Sequence, residues 1–145
     1  MRSVPRPVRV MLVDDEPLLR SLLRRMLHRT DRYEVVGEAG DGREALELAS
    51  VLTLDLVLLD LSMPRMDGLE ALPCLRRLVP QAHVIVLSGF GAASAARTAA
   101  RAGAHGYLEK GLAPVELIHA LDEAMRHPSL ACSDRTVPKR SRVVR

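Results

Sequence analysis

The 145-residue chain has no tryptophan, one phenylalanine and two tyrosines. No apolar run approaches the roughly 18 residues of a membrane-crossing helix, so no span is expected. The amino terminus, MRSVPRPVRV, carries charge but no apolar stretch ahead of the first strand. That argues against a secretory signal and for a cytoplasmic protein. Cysteine is scarce as well. Cys74 and Cys132 lie far apart, match no metal-ligand or CxxC spacing, and read as unpaired thiols in a reducing compartment. Internal repeats and low-complexity segments are also missing.

What is present suits a single globular domain. The chain is 48% hydrophobic and long enough to bury a core without disulfides or metals. Its net charge of +3 is unevenly spread. Residues 1–9 carry three arginines and no acid, and residues 128–145 carry five basic groups against Asp134, while the body between them is net acidic. With no aromatics interleaved to stack on bases, the basic carboxyl-terminal segment reads as a solvated, mobile end or linker. The expected organisation is a basic tail at 1–7, a domain at 8–127 and a basic tail or linker at 128–145.

Within that domain, apolar patterning alternates between strand and helix five times. Val8–Val13 is a β-branched and apolar run ending in Asp14-Asp15-Glu16-Pro17. Leu18, Leu19, Leu22, Leu23, Met26 and Leu27 then recur at helical spacing, with Arg20, Arg24, Arg25 and Arg29 on the other face. Residues 33–38 form a second strand, and Asp41-Gly42 turns into a helix with Ala45, Leu46, Ala49 and Leu52. The central strand, at 55–60 within LDLVLLDLSMPRMDG, is almost unbroken leucine and valine, as in a parallel strand buried on both faces. A third helix carries Leu69, Leu72, Leu75, Leu78 and Val79. Pro73 lies inside it, so a kink is expected, or regular helix only from about Leu72. His83–Ser88 is a fourth strand, 92–102 an alanine-rich helix and Gly106–Glu109 a short fifth strand. Pro114 opens the last helix, which stops near Pro128. This alternation predicts an α/β fold, (βα)5, with a doubly wound parallel sheet, helices on both faces and right-handed crossovers.

In such sheets ligands bind outside the carboxyl ends of the strands. Those ends carry Asp14 and Asp15, Asp60, Ser88 and Lys110. Each has an ordinary use: a helix cap, a turn, a solvated lysine. Together on one rim they define a site. Two carboxylates about 4 Å apart repel by about 4 kcal/mol at an effective dielectric of 20, so the cluster needs a cation. Hard oxygen ligands select Mg²⁺, which keeps several waters and shares phosphate oxygens with a few carboxylates. A carboxylate so placed, with an ammonium and a hydroxyl beside it, can attack phosphorus and become an acyl phosphate.

Asp14-Asp15, Asp60, the SMPRMDG loop, Ser88 and the GYLEK stretch resemble the CheY-like receiver domain of two-component response regulators, in a style nearest the NarL type. The resemblance covers about residues 8–127. It implies a flavodoxin-like strand order 2-1-3-4-5 and a phosphorylation-activated switch rather than a metabolic enzyme. By the same resemblance Asp60 accepts a phosphoryl group from a sensor histidine kinase or phosphotransfer protein. Asp15, Asp60 and the Ser62 backbone carbonyl would ligate Mg²⁺, with Asp14 acting through water. Lys110 would pair with the phosphoryl oxygens, Ser88 would bond the new group, and Tyr107 would swing toward the space Ser88 vacates. Ser62 and Phe90 flank the path of a hydrolytic water. Neither has a carboxylate or amide to orient it, so slow dephosphorylation is expected.

The chain departs from the familiar pattern at Gly111, where many receivers have proline after the lysine, at Gly89 and at Pro73. None removes a reacting group, and the Lys110–Gly111 bond is expected to be trans. A Mg²⁺-dependent aspartyl-phosphate phosphatase would need an acid where Ser62 stands. A purely binding module would be expected to have lost Asp15, Asp60 or Lys110. Residues 128–145 are too short for a helix-turn-helix. The chain therefore reads as a stand-alone receiver or as the receiver fragment of a DNA-binding regulator, reaching DNA only through a missing output domain, with a homodimer on phosphorylation among its expected partners.

Overall fold

Every residue of Leu56–Leu59 is buried, the condition for a strand covered on both faces. The computed structural model describes residues 5–89 and 93–126. Within them five strands alternate with five helices: β1 (Val8–Val13), α1 (Pro17–His28), β2 (Tyr33–Ala39), α2 (Gly42–Ala49), β3 (Leu56–Leu59), α3 (Gly68–Leu78), β4 (His83–Ser88), α4 (Ala93–Arg101), β5 (Gly106–Glu109) and α5 (Pro114–Arg126). The strands form one sheet in the order β2-β1-β3-β4-β5, parallel at every pairing.

The period of two along each strand divides the core. On one face Met11, Val13, Val57, Leu59, Val84, Val86 and Tyr107 pack with Ala45 and Ala49 of α2, Ala71, Leu72 and Leu75 of α3, and Ala96 and Ala99 of α4. On the other, Val10, Leu12, Leu56, Leu58, Ile85, Leu87 and Leu108 pack with Leu23 and Leu27 of α1 and Leu117 and Leu121 of α5. Alanine on the first set of helices lets them approach the sheet closely.

Three expectations change. β3 is shorter than 55–60, because Asp55 turns to the amino-terminal rim. There it accepts the Arg9 N–H at 2.9 Å and pairs with Arg6 at 2.8 Å, which also ties part of the basic amino-terminal segment to the body. α3 is regular from Gly68, not from Leu72, with Pro73 inside it. A capping box secures its first turn: Asp67 accepts the Glu70 N–H at 2.9 Å and Glu70 accepts the Asp67 N–H at 3.0 Å. And α4, described from Ala93, ends at Arg101 rather than at 102, while residue 92 lies outside the described residues. No cis peptide bond occurs among the described residues, so Lys110–Gly111 is trans as expected. Phe90, Cys132 and the tail at 128–145 lie outside the described residues.

Candidate functional site

Register decides what meets at the carboxyl rim. Val13 of β1 pairs with Leu59 of β3, so the next residues, Asp14 and Asp60, emerge side by side. The ladder continues one step further on each strand. The Asp14 N–H donates to Ala39 O at 3.0 Å, the Asp60 N–H to Val13 O at 2.9 Å and the Lys110 N–H to Ser88 O at 2.8 Å. Carboxylate oxygens of Asp14, Asp15 and Asp60 lie within 4.8 Å of one another. Asp14 and Asp60 are buried, 3% and 5% exposed, while Asp15 faces solvent.

Lys110 closes the cluster. Its Nζ is 2.7 Å from Asp14 Oδ2 and 3.4 Å from Asp60 Oδ2. Burial opposes the ammonium charge, but the two carboxylates outweigh it and raise the Lys110 pKa. Burial, and next the charge of Asp14, pushes the Asp60 carboxyl above its ordinary value; Lys110 and the Ser62 N–H, 3.3 Å from Asp60 Oδ1, pull the other way. Asp60 is thus a carboxylate held short of full compensation. Asp14 does not cap α1: the cap position is Glu16, without a side-chain cap bond. Instead Asp14 Oδ1 accepts the Glu16 N–H at 2.9 Å and Oδ2 takes Lys110.

Three hard oxygen donors around one point, two of them stripped of solvent, suit a divalent cation, since one lysine cannot neutralise three carboxylates. Asp15 is the cluster member open to solvent, and Ser62 is exposed at the start of the loop after β3. Ser88 ends β4 half-buried. Tyr107 is buried in β5, 8% exposed, within the core on the face covered by α2, α3 and α4.

The strand-end pattern did not reveal what holds these groups in place. Gly68 lies so close behind Asp60 that a Cβ there would meet Asp60 O at 2.2 Å, which only glycine avoids. Arg65, at φ 63°, donates from Nε to the buried Asp41 carboxylate at 2.7 Å, and the Gly42 N–H donates to Met66 O at 2.9 Å. These contacts fasten the loop after β3 to the start of α2. Arg20 of α1 donates to the Asp14 carbonyl and to Glu38 Oε1. It had read as one of several arginines on a polar helix face. Only its position, five residues after Asp15 and one helical turn into α1, hinted at more.

A five-stranded parallel sheet in this order, with two carboxylate-bearing strand ends, a hydroxyl and a lysine on one rim, has the architecture of a receiver domain. The family pattern for the response regulator receiver domain matches residues 10–122, and the chain belongs to that family. It is 44% identical over 115 residues to the nitrate/nitrite response regulator protein NarP of Escherichia coli, covering 79% of this chain and 54% of NarP. It is 35% identical over 118 residues to the chemotaxis protein CheY of Thermotoga maritima, covering 81% of this chain and 98% of CheY. Among solved structures, the receiver domain of the putative response regulator NarL from Mycobacterium tuberculosis superposes with a TM-score of 0.78 at 34% identity, covering 85% of this chain and 99% of that one. The chain spans about half the length of the curated relatives it first matches. Among the described residues no helix is long and apolar enough to cross a membrane.

Proposed function

We propose that Asp60 is the phosphoacceptor of this receiver domain and that a sensor histidine kinase or phosphotransfer protein is its donor. The observation that carries the reading is the pairing of a buried Asp60 with Lys110 and the Asp14–Asp15 cluster at the carboxyl end of the central strand. An Asp60 carboxylate oxygen would bond to phosphorus as the bond from phosphorus to the donor imidazole breaks, and the released imidazole takes up a proton from water. The carboxylate is the nucleophile, so no general base is needed. Lys110 stands where charge on the phosphoryl oxygens develops, and the cluster fixes the acceptor's orientation.

Asp15, Asp60 and the Ser62 carbonyl would hold Mg²⁺, with Asp14 reaching it through water. Bound there, Mg²⁺ supplies neutralisation of phosphoryl and carboxylate charge. The domain would catalyse only its own phosphorylation and dephosphorylation and act as a cytoplasmic switch, with Ser88 and Tyr107 relaying the change. On incubation with acetyl phosphate and Mg²⁺, one phosphoryl group is expected, on Asp60 by mass spectrometry. Asp60→Asn should abolish it, and labelling of that variant at an unchanged rate would refute the assignment.

A further inference from the structure

Asp15 is the exposed member of the acidic cluster, and its direction depends on the peptide that joins it to Asp14. That peptide is fixed from several sides. The Asp14 N–H donates to Ala39 O at 3.0 Å. Its side chain accepts the Glu16 N–H at 2.9 Å and pairs with Lys110 at 2.7 Å. Its carbonyl accepts from Arg20 Nη1. Arg20 is in turn aimed by Glu38, which takes Arg20 Nε on Oε1 at 2.9 Å and Arg24 Nε on Oε2 at 2.9 Å. The Arg20 side chain is 19% exposed and that of Glu38 26%, so neither pairing is an idle surface contact. Burial works against the Glu38 charge, but the two arginines prevail and hold its carboxyl below the ordinary value.

We infer that Arg20 is a positioning residue for the cation site: by holding the Asp14 carbonyl it sets the Asp14–Asp15 peptide and so directs the Asp15 carboxylate. The inference rests on the proposed Mg²⁺ site. Arginine suits the role because its fork can serve a carbonyl and a carboxylate at once, whereas a lysine ammonium lacks that planar reach. Partners that orient a ligand in this way are commonly worth 10- to 100-fold in metal affinity.

Charge alone predicts the opposite effect. Removing a cation near a cation site should tighten Mg²⁺ binding, or leave it unchanged in salt. Arg24 supplies the control: it shares Glu38 and the same charge, and sits one helical turn further along α1, but among the described residues it bonds to Glu38 and not to the acidic turn. Mg²⁺ binding to the intact chain, measured by calorimetry, should weaken about tenfold in Arg20→Met and stay within about twofold in Arg24→Met. In Arg20→Met the Glu16 amide, which donates to Asp14 Oδ1, should also exchange faster with solvent. Arg20→Met binding Mg²⁺ as tightly as Arg24→Met would overturn the inference. If Arg20→Met does not fold by circular dichroism, Arg20→Lys takes its place under the same criterion. The Mg²⁺ site itself is tested separately, because wild-type binding that Asp60→Asn leaves unchanged would sink the site and not merely the role of Arg20.

Discussion

Asp60 is held under two opposed demands. The proposed phosphoacceptor role needs a charged carboxylate, yet this one is 5% exposed and close to Asp14. Burial and Asp14 raise its pKa, so the folded state holds the Asp60 proton more tightly than the unfolded chain does. For an acid that sign means stability falls as pH rises from the ordinary carboxylate range through the folded value, and at neutral pH the ionised group costs stability. Asp60→Asn should therefore raise the urea midpoint at pH 7 in the presence of chelator. Saturating Mg²⁺ should narrow the gap by stabilising the wild type alone. A variant less stable than wild type in chelator would show that Lys110 more than compensates the buried charge. The rim residues Asp14, Asp15, Asp60, Ser88 and Lys110 were legible from sequence because parallel register carries every strand's carboxyl end to one rim. Arg20, Arg65 and Asp41 were not, because their partners are a backbone carbonyl or a residue on another element, and no periodicity records such contacts.

At the scale of the element, α3 runs through a residue that should interrupt it. Pro73 has no N–H for the Leu69 carbonyl four residues back, and its ring crowds that turn. The helix persists because its first turn is closed by the Asp67–Glu70 capping box and its inner face buries Ala71, Leu72 and Leu75. Pro73 itself lies on the exposed face, where water can reach the ring. Local propensity pointed to a helix regular only from about Leu72, and capping with tertiary burial overrode that late start; of these, only the apolar spacing was readable beforehand. The turn signal Asp67-Gly68 was legible, but not that Gly68 abuts the Asp60 carbonyl. Pro73→Ala should restore the missing bond without disturbing the core and stabilise the domain by about 1–3 kcal/mol, somewhat offset by a more flexible unfolded chain. Chemical denaturation measures this, and a loss of stability would mean that proline's stiffening of the chain outweighs the helical bond.

Across the whole molecule the two ends of the sheet behave differently toward protons. The carboxyl ends of β4 and β5 carry Ser88 and Lys110, and their amino ends carry His83 and, just before Gly106, His105. The His105 N–H donates to Val84 O at 2.7 Å and its Nδ1 accepts the Val84 N–H at 3.0 Å. A protonated Nδ1 could not accept that bond, so acid would break a link between the two strands. Burial first, then Arg76 and His83, lowers the His105 pKa to about 4 from 6.5. His83, edge-on at 5.1 Å between ring centroids, is lowered too, chiefly by burial. Both are bases depressed on folding, so the unfolded chain binds more protons in the window between. The stability they confer is complete above about pH 6.5 and is lost as pH falls toward 4. With the ring partly open to solvent, His105 accounts for about 1–3 kcal/mol of that loss. The acids with lowered values, Glu38, Asp41 and Asp55, have ordinary values of 4.5, 3.8 and 3.8, so their contribution is lost at lower pH. Between pH 5 and 6.5 the histidines oppose Asp60, whose raised carboxyl has the opposite sign, so the difference between wild type and a His105 variant isolates the share of His105. Urea midpoints of wild type should fall across that interval, and those of His105→Gln should fall less. Equal slopes in the two proteins would place the acid sensitivity elsewhere.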